Sequence, residues 1–477
     1  MSHSTISNIS WKFAERVSMQ LISLVVSIVI ARILEPTDFA PIAIVLSITN
    51  LAYAVVDGGF SSALIQKKNA DILDFSTIFY FTLFFSIIIY SVFYFTAPYI
   101  QIFFGHQYEQ LTAIIRTIGL LIPIYGINSI QQAYVARNMM FYTMFYSSSV
   151  GTIVSAIIGI SMAFNGYGTW ALVAQIMSAS IVSALSLFVI IRKLPALQFS
   201  FSRFKNLIKY GSRILGATLL INIFEELRTF VIGKLYTPNQ LAYFDRGRQF
   251  PLLIVNNVSL SLSAVLFPKL SQYQDNVSEL KALTRKSIRI SAYLMTPLVI
   301  GLIVCAEPLV RLLLTEKWLF CVPFLRIFCI FYLFQPIHFA NMQAIKAIGR
   351  SDVFLRLELI KKSIEVITLL CVMHISVYAI AINMAVLTTL FTFVNAYPNK
   401  RFLNYTFAEQ MKDIFPQMIL AVIMGVIIYP INMLPIHDIW ILALQIIIGG
   451  IIYIILSIIT HSQEYKEIYS RVKKFFQ

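Results

Sequence analysis

Apolar segments long enough to cross a bilayer follow one another from near the start of this chain almost to its end. A spanning helix needs about 20 mostly apolar residues, and about 14 such segments can be marked. They lie near 11–33, 39–65, 75–98, 110–133, 142–164, 169–193, 208–235, 239–267, 286–313, 319–344, 353–374, 377–398, 412–433 and 438–460. What remains between them is too short for a soluble catalytic domain. Charged residues make up 12% of the chain and mean hydropathy is +0.78. A soluble domain would carry roughly twice that charge. The expected fold is therefore all-α and polytopic.

A formal charge of +15 suggests nucleic acid at first sight, but its distribution points to a membrane instead. Lys and Arg gather on alternate loops and helix ends, as at Lys67, Lys68, Arg137, Arg192, Lys193, Arg203, Lys205, Arg285, Lys286, Arg289, Lys346, Arg350, Lys361, Lys362, Lys400 and Arg401. The opposite side has only Arg32, Lys234, Arg311 and Lys317. Such asymmetry places both termini in the cytoplasm. The basic tail then faces an anionic leaflet, with no nucleic acid required.

The chain repeats itself about 200 residues on. Val29-Ile30-Ala31-Arg32-Ile33-Leu34-Glu35-Pro36-Thr37-Asp38-Phe39-Ala40 lies over Val231-Ile232-Gly233-Lys234-Leu235-Tyr236-Thr237-Pro238-Asn239-Gln240-Leu241-Ala242 without a gap. At the same offset Ser61–Lys67 faces Ser263–Lys269. Six crossings return a chain to its starting side, so two copies share one orientation, as in transporters whose two lobes rock about a central site. The expected organisation is an N-terminal lobe at 1–195 and a cytoplasmic linker at 196–207. A second six-helix lobe at 208–400, two extra helices at 401–460 and a basic cytoplasmic tail at 461–477 complete it. The extra pair either forms a groove for a lipid tail or pads the second lobe.

Catalytic signatures are missing. Acids in the short outer loops stand singly, and no G-x-S-x-G, H-E-x-x-H or Walker glycine loop occurs. Cys305, Cys321, Cys329 and Cys371 lack paired-ligand spacing, which argues against a metal site or disulfide framework. The first span has no small-residue cleavage site after it and reads as a retained anchor. Without an ATP motif, transport would draw on the substrate gradient, the membrane potential, or an H+ or Na+ gradient. No other cofactor is expected.

Ionisable groups at membrane depth are costly and are functional candidates by default. The seventh span carries Glu225, Glu226 and Arg228, and the eighth carries Asp245, Arg246 and Arg248. These six either cancel as an ion-pair knot or leave arginines free for an anionic ligand in a hydrated cavity. Arg116 and Arg326 occupy nearly equivalent repeat positions with no acid one turn away. With Arg228, Arg246 and Arg248 they are the candidate substrate-binding residues, since a guanidinium fork matches phosphate oxygens. Asp57, Glu225, Glu226 and Asp245 are candidates for a coupling ion or proton, and Glu365 raises the same question. Glu15 and Arg16 are candidates for a gate or entry site, against the plainer reading of a surface pair. Asp57-Gly58-Gly59, Pro123, Pro297 and Pro336 mark expected flexible or bending points.

Ala31-Arg32-Ile33-Leu34-Glu35-Pro36-Thr37-Asp38-Phe39 resembles the A-R-x-L-x-P-x-D-F-G signature of Wzx-type polysaccharide flippases. These belong to the multidrug/oligosaccharidyl-lipid/polysaccharide (MOP) exporter superfamily. Val265-Leu266-Phe267-Pro268-Lys269-Leu270-Ser271, Tyr243-x-x-Arg246-x-x-x-x-Pro251, Glu316-Lys317-Trp318 and Ala347-Ile348-Gly349-Arg350 also resemble its markers. Similarity covers essentially the whole chain and is closest to the WzxC-like lipopolysaccharide biosynthesis branch. The resemblance implies a bacterial inner-membrane flippase carrying undecaprenyl-diphosphate-linked oligosaccharide from the cytoplasmic to the periplasmic leaflet, in contact with membrane lipids and with other polysaccharide assembly proteins. It implies a transporter and not an enzyme. A lipid II flippase and a drug/cation antiporter of the same superfamily stay open, as does a polytopic glycosyltransferase or polymerase from another class.

Overall fold

A computed structural model describes residues 19–20, 22–67, 70–191, 198–273 and 276–476. Glu15 and Arg16 lie outside the described residues. Among the described residues all the regular structure is helical: α1 (Ile22–Ile33), α2 (Pro36–Asp57), α3 (Phe60–Gln66), α4 (Ile72–Phe104), α5 (Leu111–Gly119), α6 (Leu121–Arg137), α7 (Phe141–Phe164), α8 (Thr169–Ile191) and α9 (Phe201–Leu235). There follow α10 (Pro238–Gln272), α11 (Val277–Leu314), α12 (Val322–Tyr332), α13 (Gln335–Ala347), α14 (Ser351–Val372), α15 (Val377–Leu403), α16 (Phe407–Ile428), α17 (Asp438–Ile459) and α18 (Gln463–Phe476). Short 3-10 turns precede α5 and α12 and follow α16.

Among the described residues, 9 helices are long and apolar enough to cross a membrane, or 10 if the α12–α13 pair, bent by 40°, counts as one broken span. The other expected spans fall on α1, described from Ile22, and on α9, α10 and α14. The last three have the length, at 35, 35 and 22 residues, but carry charges along it. Large apolar side chains stand exposed around the helices, including Phe84 (66%), Ile102 (74%) and Val426 (67%). A surface of that kind is stable in hydrocarbon, where backbone polar groups are paired inside helices. This is a multi-span helical membrane protein.

Packing divides the chain into two compact units, Met1–Ala242 and Tyr243–Gln477. The sequence repeat divides it at the 196–207 linker instead. The first criterion reports shared contacts, the second a recurring sequence pattern.

In the first unit, α9 packs on α2, α3 and α4, and α7 pairs closely with α8. The conspicuous A-R-I-L-E-P-T-D-F stretch builds a helix boundary. Pro36 starts α2, where its missing N–H costs nothing, and Asp38 Oδ2 accepts from the Glu35 backbone N–H at 3.1 Å. The other oxygen of Asp38 accepts from the Thr169 hydroxyl at 3.0 Å, tying this turn to the start of α8. Its repeat copy behaves alike: Pro238 opens α10, and Gln240 Oε1 accepts from Thr237 N–H at 3.2 Å. Gly58 and Gly59 both have positive φ and separate α2 from α3. A Cβ on Gly58 would come 2.7 Å from the Phe60 ring. Its counterpart α10 runs through unbroken. Near the α3–α4 turn, fully buried Asp74 receives Lys67 at 2.7 Å and Arg203 at 3.2 Å.

In the second unit α11 is the axis, contacting α12, α13, α15, α16 and α17. The two units repeat one core at matching positions: Leu64, Ile78 and Ile130 in the first, Leu266, Ile288 and Ala340 in the second. Helix α18 docks on α11 through ion pairs Arg289–Glu464 and Lys286–Glu467. Burial by itself raises the Glu464 carboxyl, but its own backbone N–H, the Ser462 hydroxyl at 2.8 Å and Arg289 outweigh that and hold it below the ordinary carboxylate range.

A depressed folded-state pKa contributes stability above the unfolded value and loses it as pH falls through the folded one. Docking of α18 is thus expected to weaken in acid, below the usual glutamate range, and Glu464→Gln is expected to reproduce that at neutral pH. Hydrogen–deuterium exchange over 463–476 checks both; unchanged protection in the variant would contradict the docking contact.

Candidate functional site

Helices α9, α10 and α14 bring charge into what are otherwise spanning lengths. Helix α9 holds Glu225, Glu226 and Arg228, all half-buried. Asn50 of α2 donates to Glu226 Oε1 at 3.2 Å. The six expected charges on α9 and α10 divide between the two compact units, three to each.

On α10 the three charges do different things. Gly247 lets the helix press against the start of α12: a Cβ there would lie 2.7 Å from Phe324 Cβ and 2.9 Å from the Cys321 carbonyl. That close approach buries Arg246, whose guanidinium sits 5.0 Å over the ring of fully buried Trp318 and whose Nη1 donates to Gln249 Oε1 at 2.8 Å. A desolvated cation over an indole face gains about 2 kcal/mol. Tyr243 meets the same Trp318 edge-on at 6.1 Å. The two sequence markers Tyr243-x-x-Arg246 and Glu316-Lys317-Trp318 are thus two sides of one packed contact. Asp245 is exposed and Arg248 half-buried.

Asp57 ends α2, and its Oδ1 accepts from the Ser61 hydroxyl at 2.5 Å. Tyr53, one turn earlier, meets Tyr125 of α6 edge-on at 5.1 Å. Arg116, in α5, donates from Nε to the Tyr94 carbonyl of α4 at 3.2 Å and lies 4.3 Å over the Tyr94 ring. Arg326, in α12, donates from Nε to the Ile303 carbonyl of α11 at 3.3 Å. Pro98 and Pro308 lie inside α4 and α11; Pro123 and Pro336, expected to bend helices, fall in the first turns of α6 and α13.

One charged cluster was not read as such from the sequence, which singled out only its Glu365. Lys361 and Lys362 read as loop-proximal cations, yet they lie midway along α14. Lys361 pairs with Glu358 at 2.5 Å and Lys362 with Glu365 at 3.1 Å, all four side chains no more than 17% exposed. Nearby, His338 of α13 places Nε2 3.1 Å from the Thr388 carbonyl and Nδ1 2.5 Å from Asn395 Nδ2. Asn383 donates to Thr368 Oγ1 at 3.1 Å, joining α15 to α14. The run Glu358-Leu359-Ile360-Lys361-Lys362-Ser363-Ile364-Glu365 carried the signal, because i,i+3 spacing on a helix sets each acid beside its base. Among the described residues no His, Cys, Asp and Glu come together as a metal-ligand group.

The sequence pattern of the family described as "Polysaccharide biosynthesis protein" matches residues 29–323. The chain belongs to that family. Among curated members it is similar to the succinoglycan biosynthesis transport protein ExoT of Rhizobium meliloti (strain 1021), 23% identical over 320 residues, 67% of this chain and 64% of that protein. It is also similar to the lipopolysaccharide biosynthesis protein WzxC of Escherichia coli (strain K12), 20% identical over 365 residues, 75% of this chain and 73% of that protein. A third is the teichuronic acid biosynthesis protein TuaB of Bacillus subtilis (strain 168), 22% identical over 64% of this chain and 63% of that protein. The chain thus aligns with somewhat under two thirds of the length of ExoT and TuaB. In fold it matches the lipid II flippase MurJ in an inward closed conformation, with a TM-score of 0.77 at 17% identity over 96% of this chain and 99% of that one. An inward-facing multidrug resistance MATE transporter of the MOP superfamily follows at 0.64 and 16% identity, covering 81% of this chain and 94% of that one. The all-α polytopic MOP fold expected from the sequence is the fold of this family member.

The paired charges of α14 generate a test. Breaking a buried pair leaves an uncompensated charge, whereas replacing both partners by apolar groups is often neutral. Lys361→Met alone and Glu358→Met alone are each expected to destabilise the purified protein, by about 3 kcal/mol, and the double variant by much less. Thermal unfolding in detergent reads the difference; a double variant as unstable as the sum of the singles would refute the pairing.

Proposed function

We propose that this protein is a flippase that moves a polyprenyl-diphosphate-linked oligosaccharide, of the undecaprenyl kind, from the cytoplasmic to the periplasmic leaflet of a bacterial inner membrane. It is a transporter and not an enzyme, and it works by alternating access with both termini in the cytoplasm. Membership of the polysaccharide biosynthesis family supports the substrate class, and the MOP fold supports the transport mode. The observation that carries the reading is the distribution of charge on α10. Arg246 is buried against Trp318, while Asp245 is exposed and Arg248 half-buried. A guanidinium flanked by low-dielectric protein and lipid attracts a diphosphate more strongly than it would in bulk water.

Arg248 in the second unit and Arg228 in the first are each candidates for contact with the phosphorylated head, and Asp245, Glu225, Glu226 and Asp57 are candidates for coupling to H+ or Na+. The lipid tail has a matching surface in the second unit. An apolar groove of about 550 Å³ runs between α11, α16 and α17, lined by Tyr293, Pro297, Gly301, Met424, Gly449 and Tyr453. Gly301, Gly449 and Gly450 keep it open by presenting no side chain. Proteins that polymerise or extend the glycan are the expected partners.

The test is translocation of a fluorescent diphosphate-linked oligosaccharide in proteoliposomes, scored by protection from a membrane-impermeant quencher. Wild-type protein is expected to move it, and Arg248→Glu, inserted normally, to lower the rate at least about tenfold, as losing one charge-assisted contact predicts. An unchanged rate would refute the cationic path. Translocation of lipid II in place of the oligosaccharide would favour the second reading, and formation of new sugar bonds would favour an enzyme.

A further inference from the structure

A proline inside a long helix recurs in each compact unit, and in both a basic side chain from the helix that follows donates to the backbone beside it. Helix α4 contains Pro98, ends at Gly105 and is followed by α5 with Arg116; helix α11 contains Pro308, ends at Thr315 and is followed by α12 with Arg326. The three positions recur at identical spacings, and Gly105 and Thr315 share positive φ values of 101° and 82°. Proline has no N–H, so the carbonyl four residues before it loses its helix partner. For Pro98 that carbonyl is Tyr94 O, the atom to which Arg116 Nε donates at 3.2 Å. The favour is returned. The break between α5 and α6 at Leu120 turns that residue's N–H to Thr117 and Ile118, leaving the Arg116 carbonyl to the Tyr90 hydroxyl of α4 at 3.2 Å.

In the second unit two donors hold adjacent carbonyls, of which one is freed by the proline. The carbonyl freed by Pro308 is Val304 O, which accepts from Asn432 Nδ2 at 3.3 Å, and Arg326 takes the carbonyl just before it, Ile303 O. Asn432 is itself held by Gln445 of α17, which donates to its Oδ1 at 2.9 Å.

We propose that Arg116, and Arg326 together with Asn432, are positioning residues that clasp the proline kinks of α4 and α11, setting the bend each helix keeps during transport. In this reading Arg116 and Arg326 act on the helix backbone and not on the diphosphate. The clasp in the first unit has one donor, so it is the more sensitive of the two. The inference depends on hydrogen-bond geometry and not on the identity of the transported lipid.

The experiment is rescue by restoring the missing N–H. Arg116→Gln is expected to lower the melting temperature of the purified protein by about 2–4 °C and to slow translocation severalfold without raising the lipid concentration for half-maximal rate. Adding Pro98→Ala returns a helix partner to Tyr94 O and is expected to recover at least half of the lost rate and stability. A double variant no better than Arg116→Gln overturns the clasp. So does an Arg116→Gln variant of unchanged stability whose half-saturating lipid concentration rises, because that is the behaviour of a ligand contact. If Arg116→Gln does not fold, the same question is put to folding: recovery on adding Pro98→Ala supports the clasp, and none refutes it. In the second unit, Arg326→Gln and Asn432→Ala are expected to be mild singly and worse than additive together, with Pro308→Ala relieving the pair; strict additivity without relief overturns the shared clasp. Loss of transport on removing the gradient or changing the substrate leaves these comparisons intact, which separates them from the function proposed above.

Discussion

A carbonyl left without a donor in hydrocarbon costs more than most side-chain contacts return, and much of this fold is arranged around that constraint. At several places where a helix stops or carries an internal proline, a side chain donates to the exposed backbone. Arg137 donates to the Leu64, Ile65 and Lys67 carbonyls at the end of α3. Arg116 and Asn432 answer proline kinks, and Gln107 reaches the Tyr236 carbonyl at 3.2 Å where α9 ends. Water would do this work in a soluble protein; here basic and amide side chains do it.

That constraint also explains why charge is informative in this chain and why its meaning differs by position. Arg246 spends its charge on an indole face, Asp74 gathers two cations near a helix turn, and α14 cancels its charges in sequence-local pairs. Charges held this way fix geometry. On α10, Arg246 is committed to Trp318, and the more accessible Asp245 and Arg248 are the charges proposed to meet ion and substrate.

The architecture was legible in the sequence because its signals are local and periodic. Apolar runs mark spans, and Pro36 with Pro238 marks matching helix starts in the two copies. The broken helix at Gly58-Gly59 was announced by its residues. What the sequence did not disclose depends on a partner distant in the chain. Nothing near Arg116 announces the Tyr94 carbonyl, although Pro98 four residues beyond Tyr94 was in plain view. Tyr243-x-x-Arg246 and Glu316-Lys317-Trp318 look like separate markers until α10 and α12 are packed. Lys361 and Lys362 were counted with loop cations because a charge tally ignores depth; their acids at i−3 and i+3 held the correction.

The hydrogen-bond chain from Gln445 through Asn432 to the Val304 carbonyl ties α17 to the backbone of α11 beside Pro308. Sliding α17 by one residue would withdraw Gln445 from Asn432 and loosen the donor on that carbonyl. The last spanning helix is therefore mechanically geared to the central helix of its unit, and whatever displaces one is felt by the other.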